Sequence, residues 1–213
     1  MYKEIIEELK ILSESDFAKW LKPFLSISGS DEILLGVRVP KLRKLAKKYK
    51  DLPVSCIEKL LQSKYHEARE LALFVMLLRC KKEPKIMCDI YLNNLLYINN
   101  WDLVDYTAPH IIAPNVEIST LRKLADSDYL WANRVAMVST IYFIKQGDFS
   151  LALEFAQKYV YHQHHLMHKA AGWMLREIGK KDLEVLKSFL KIYFSQMPSV
   201  MRSYAREHLR NKT

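Results

Sequence analysis

Five residues, Arg69, Trp101, Arg134, Lys169 and Arg202, lie 32, 33, 35 and 33 positions apart, each early in a segment with apolar residues at helical spacing. The segments are EARELALFVMLL (67–78), WDLVDYTAPHII (101–112), ANRVAMVSTIYFI (132–144), HKAAGWMLREIG (168–179) and MRSYAREHL (201–209). A period of this length is what stacked helical hairpins produce, because one hairpin cannot bury its own apolar side and successive hairpins cover each other. Equivalent positions of the second helices then line one surface. The expected architecture is an all-α helical-repeat solenoid (an α-α superhelix) whose concave face carries four cations and a tryptophan.

Sheet alternatives find little support. Gly 5 and Pro 7 are few for 213 residues, and the stretches between them lack strand alternation and hairpin dipeptides. Turn marks such as SESD, VP, LP, EP, AP, DSD, QGD, GKKD and MPS leave segments of usual helix length. SISGSDE at 26–32 is the one loop candidate, so the reading is a single domain over residues 1–213. MYKEIIEELKIL mixes charge with apolar residues and does not read as a signal peptide, and the apolar run LALFVMLL is too short to span a bilayer. Cys56, Cys80 and Cys88 are odd in number, lack a C-x-x-C and read as reduced core thiols, which points to the cytoplasm. The net charge of +9 is compatible with a polyanionic partner without establishing one.

Trp101 and Asp105, four apart on a helix, lie one above the other, while Leu103, Val104 and Thr107 gather on another side. A tryptophan and a carboxylate presented together suit something apolar and cationic. In HKAAGWMLREIGK, Met167, Ala170, Ala171, Met174 and Ile178 form the apolar side, and Trp173 falls with Lys169, Arg176 and Lys180. That is either a stacking and phosphate-binding arrangement or a core-margin tryptophan beside a solvated basic face. Arg134 shares its side with Leu130, Met137, Val138 and Ile141, so it needs either a carboxylate partner or an anionic ligand. Lys41, Lys44 and Lys48 line one side of PKLRKLAKKYK, and Arg202, Arg206 and Arg210 recur every four residues near the end. Each set alone reads as a solvated face; together they could neutralise several phosphates.

His162, His164, His165 and His168 cluster in YHQHHLMHKA, but their spacing fits neither a zincin nor a zinc finger, so no metal and no cofactor is expected. There is no G-x-S-x-G, Walker loop, GxGxxG or helix-hairpin-helix signature.

With these residues in hand, the chain resembles the DNA alkylation repair enzymes of the AlkD type, DNA glycosylases built from HEAT-like repeats. The likeness runs from LLGVRVPKLRKLAKKY through NNWDLVDYTAPHII and LWANRVAMVSTIYFI to HKAAGWMLREIGKKD. It implies that Trp101, Asp105, Arg134 and Trp173 surround the lesion on a basic face that cradles duplex DNA, with Asp105 stabilising the sugar cation. It also implies an aromatic on the second helix facing DNA, for which Trp20 in FAKWLKPF is the candidate. The implied activity is excision of positively charged alkylpurines, of the 3-methyladenine and 7-methylguanine type, from double-stranded DNA; no long exposed apolar face argues for an obligate dimer, so a monomer is expected. Lys41, Lys44, Lys48, Arg69, Lys169, Arg176, Lys180, Arg202 and Arg206 are the expected DNA contacts. Two other readings stay open: a non-catalytic member of the fold that binds damaged or branched DNA, and a repeat scaffold gripping an acidic protein.

Overall fold

Prolines and side-chain caps set where several helices start. The computed structural model describes residues 1–26 and 33–210, without the side chain of Arg210, so residues 27–32 of the expected loop lie outside the described residues. The helices are α1 (Tyr2–Ile11), α2 (Ser15–Leu25), α3 (Val39–Lys48), α4 (Val54–Leu61), α5 (His66–Arg79), α6 (Pro84–Asn93), α7 (Trp101–Asp105) and α8 (Ala108–Ile111). They continue with α9 (Ile118–Ala125), α10 (Leu130–Ser139), α11 (Ile141–Lys145), α12 (Ser150–Tyr159), α13 (His165–Lys181), α14 (Leu183–Tyr193), α15 (Ser199–Ala205) and α16 (Glu207–Arg210). Pro40 and Pro84 occupy first-turn positions, where the missing N–H costs nothing. Asp182 caps α14 by accepting from the amides of Glu184 at 3.0 Å and Val185 at 3.1 Å.

The fold is all-α, with helical pairs repeating along the chain, and it divides into two compact units, Met1–Ile111 and Ile112–Thr213. In the first unit α5 packs on α3, α4, α7 and α8, and its residues from Leu71 to Met76 are all buried. In the second, α13 packs on α10, α12, α14 and α15. Every residue of α10 from Trp131 to Ser139 is buried, as expected of a helix that is apolar on most of its circumference. Among the described residues no helix is long and apolar enough to cross a membrane.

The repeat is visible in side-chain bonds that span one period. Gln62 donates to Asn94 at 2.9 Å in the first unit. In the second, Arg122 pairs with Glu154 at 2.8 Å and the Tyr159 hydroxyl donates to the Ala125 carbonyl at 3.2 Å.

Three expected helices are interrupted. Residues 101–112 split into α7 and α8 because Pro109 has no N–H to continue the ladder and the Thr107 hydroxyl takes the Leu103 carbonyl. Residues 132–144 break at Thr140, whose hydroxyl donates to the Met137 carbonyl at 2.6 Å. Residues 201–209 break at Arg206.

Candidate active site

In the first unit the WDLVD segment is a helix of five residues, too short to hold itself in place, and its flanks supply the anchoring. Asn100, fully buried, accepts from the Trp101 amide at 2.9 Å and donates to the Leu25 carbonyl at 3.2 Å. The Trp101 indole N–H donates to the Phe24 carbonyl at 3.1 Å. Asp102 accepts from its neighbour Leu103 at 2.9 Å and pairs with Nε2 of buried His66 at 2.8 Å. Leu103, Val104 and Thr107 are buried, while Trp101 and Asp105 are partly buried. Asp102 is therefore committed to holding α7 against α5.

Two glutamates of this unit show how context separates identical groups. Glu67, at 1% exposure, accepts from the amides of Leu35 (2.9 Å), Gly36 (2.6 Å) and Val37 (3.3 Å). This explains LLGV: Gly36 has φ +79° and a Cβ there would stand 2.1 Å from the Glu14 carbonyl oxygen. Glu70, one turn before Phe74, is pushed up to about 8, first by burial and then by the charge of Asp102. Sequence reasoning singled out none of His66, Asp102, Glu67 or Glu70.

Among the expected cations, Lys41 pairs with Glu14 at 2.8 Å and Lys48 with Glu8 at 2.7 Å, leaving Lys44 as the exposed member of that set with no partner among the described residues. Arg69 is 7% exposed, inside the unit. Trp20 is 61% exposed, flanked by Phe17 at 5.6 Å and Phe24 at 5.0 Å between ring centroids.

The second unit holds the remaining candidates. Arg134, 5% exposed, donates to the Leu166 carbonyl at 2.6 Å and so ties α10 to the first turn of α13. Trp173 is partly buried, and the glycine before it has a packing role: a Cβ on Gly172 would lie 2.7 Å from the Met201 carbonyl oxygen and 2.6 Å from Tyr204 Cβ. The small residue lets α13 and α15 approach and so fixes the side on which Trp173 emerges. Lys169 has no ion-pair partner among the described residues. Arg176 is paired with Glu177 and Glu207, and Lys180 with Glu177 at 2.8 Å. Arg202 and Arg206 lie over the Phe194 ring at 5.2 and 4.9 Å.

The model of the DNA alkylation repair enzyme family matches residues 5–209. The chain belongs to that family. A structure described as a predicted DNA alkylation repair enzyme from Enterococcus faecalis matches with a TM-score of 0.72 at 15% identity, over 92% of this chain and 96% of that one. At that identity the likeness speaks for the fold. No curated protein matches the chain. Membership in the DNA alkylation repair family makes DNA the natural partner of the surplus of positive charge.

Two histidines of the cluster in this family member accept from nearby backbone amides. Nδ1 of His162 accepts from the His164 amide at 2.9 Å, and Nδ1 of His164 accepts from the Leu166 amide at 3.2 Å, capping α13. Among the described residues no group of three or more His, Cys, Asp or Glu could hold a metal. Burial first, then the neighbouring histidines, lowers the pKa of both His162 and His164. A depressed folded pKa means that the stability they contribute is complete above the unfolded value near 6.5 and is lost as pH falls through the folded value. The melting temperature should therefore drop between pH 7 and pH 5. His164→Asn, which keeps a capping acceptor and removes the titration, should flatten that drop, and an unaltered pH profile would refute the assignment.

Proposed function

We propose that the protein is a DNA glycosylase, acting as a monomer in the cytoplasm without a cofactor, that hydrolyses the N-glycosidic bond of cationic alkylpurines in duplex DNA. The observation that carries this reading is the anchoring of α7 in a family member: a five-residue helix held by Asn100, Trp101 and Asp102 so that a tryptophan and a carboxylate share its partly buried side. A purine methylated at N3 or N7 already bears positive charge. When the C1′–N bond breaks, its electron pair goes to the base and neutralises it, so no general acid has to protonate the leaving group. The charge passes to the sugar as an oxocarbenium-like cation, and a fixed carboxylate stabilises it where it develops. Asp105 has that role; it also orients the water whose oxygen adds to C1′ and whose proton is released.

Trp101 directs its indole N–H to Phe24, so its ring takes the apolar and cation–π contacts with the nucleotide. In the second unit Trp173 and Lys169 contact the sugar-phosphate backbone, as Lys44 does in the first, whereas Arg134 is buried against the Leu166 carbonyl and acts by holding α13 in place.

The deciding experiment offers the purified protein a duplex with one N7-methylguanine and measures free base and abasic sites. Release above the spontaneous rate is expected. Salt-sensitive duplex binding without release would leave a DNA-binding member of the family that does not cut the glycosidic bond.

A further inference from the structure

In the first unit α3, α5 and the Trp101–Ile111 segment pack together, and Arg43 of α3 is exposed where they meet. Its guanidinium carbon lies 5.5 Å from the centroid of the Phe74 ring and 5.2 Å from that of Tyr106. Those two rings meet edge to face at 6.4 Å, and Tyr106 leans on His110 at 5.2 Å. Arg43, Lys47, Phe74, Leu78 and Tyr106 help line a recess of about 140 Å³. Lys41, Lys48 and Arg176 are neutralised by carboxylates, whereas Arg43 has no carboxylate partner among the described residues. A guanidinium resting on aromatic faces loses rotamer freedom before any ligand arrives, and its planar fork of donors suits phosphate oxygens. Tyr106 directly follows Asp105 in the chain.

We propose that Arg43, held by Phe74 and Tyr106, binds a backbone phosphate of duplex DNA next to the nucleotide on which Asp105 acts. This rests on the DNA-repair reading given above and adds the contact that positions the strand in the first unit. The recess is well below the roughly 300 Å³ at which pockets begin to enclose a drug-sized ligand. It is too small to enclose a base, so the phosphate is met by the Arg43 guanidinium at its rim.

Glu70, on α5, leaves the charge of Arg43 largely uncompensated. Arg43 is the weakest of the influences on Glu70, and an ionised Glu70 would weaken the positive field there only modestly. Asp102 from α7 and Glu67 on α5 oppose its ionisation, while His66 on α5 and Arg43 from α3 favour it; with burial the balance leaves the carboxyl protonated at neutral pH. As pH rises through about 8, Glu70 ionises and the local attraction for phosphate falls slightly.

The test is equilibrium binding of the whole chain to an undamaged duplex over a range of salt concentrations. Removing one phosphate contact should reduce the slope of log K against log salt by about 0.9, with affinity lowered by up to about tenfold at moderate salt. Arg43→Gln is expected to show that loss, and Arg43→Lys to keep the slope. Because Arg43 is exposed and loses only its ring contacts, Arg43→Gln should lower the melting temperature by no more than about 4 °C, and Arg43→Lys by less. Glu70→Gln should bind as the wild type does at pH 7 and should lack the slight weakening seen in wild type between pH 7 and pH 9. An unchanged slope in Arg43→Gln overturns the proposal, as does tighter binding by Glu70→Gln at pH 7, which would mean that Glu70 already neutralises Arg43. Failure of the wild type to bind duplex DNA would instead remove the DNA reading itself.

Discussion

Asp105→Asn is expected to slow release of N7-methylguanine by roughly 10²–10³-fold, the usual cost of deleting one preorganised electrostatic contact to a developing charge. The amide keeps the size and shape of the carboxylate but carries no charge to oppose the sugar cation. Duplex binding should be retained or slightly tightened, since one negative charge is removed from the neighbourhood of phosphates. Single-turnover excision and duplex affinity, measured on the same samples, separate the two effects. Asp102→Asn is the instructive companion. It weakens the pairing to His66 that holds α7, so it should lower both the melting temperature and the rate, the rate by less than Asp105→Asn does. Equal excision by wild type and Asp105→Asn would remove the mechanism, and a larger loss in Asp102→Asn would move the chemistry to the other aspartate of the motif.

How far the sequence carries depends on the range of the interaction. The helical repeat was legible because the period and the apolar angles are local: Met167, Ala170, Ala171, Met174 and Ile178 are all buried along one side of α13. The presentation of Trp101 and Asp105 away from Leu103 and Val104 followed from the same rule. What pattern reasoning missed needed partners distant in the chain. Lys41 and Lys48 look like free cations until α1 and α2 bring Glu8 and Glu14 against them. Arg69 has the right place in the repeat for a surface contact, yet packing puts it inside. The break between α7 and α8 is the exception: Pro109, a local mark, removes the amide that the helix would need, and the helical spacing of 101–112 hid it. Arg43 had no distinguishing local mark, since its value lies in two rings from α5 and from the residue after α7.

Glu67 is the case where a buried acid looks catalytic and is structural, and its replacement should have the largest effect on stability. Its two oxygens accept three consecutive amides, from Leu35 to Val37, and that segment brings Gly36 against Glu14 at the start of α2. Glu67→Ala leaves these amides, those of Gly36 and Val37 buried, without an acceptor, at a cost of about 3–5 kcal/mol, a large share of the roughly 5–15 kcal/mol that holds a domain together. Glu67→Gln keeps one acceptor oxygen but turns an N–H₂ towards amide donors, so it should cost about half as much. Urea unfolding followed by tryptophan fluorescence measures both, and a loss below about 1 kcal/mol in Glu67→Ala would show that the segment is held by other contacts. The consequence reaches the chemistry, because α2 carries the Phe24 and Leu25 carbonyls that hold Trp101 and Asn100. A loosened 33–37 segment releases α2, and with it the anchors of the short helix that presents Asp105. At temperatures where Glu67→Gln is still folded, excision should therefore fall although the residue is remote from the reacting bond, and binding to undamaged duplex should fall much less.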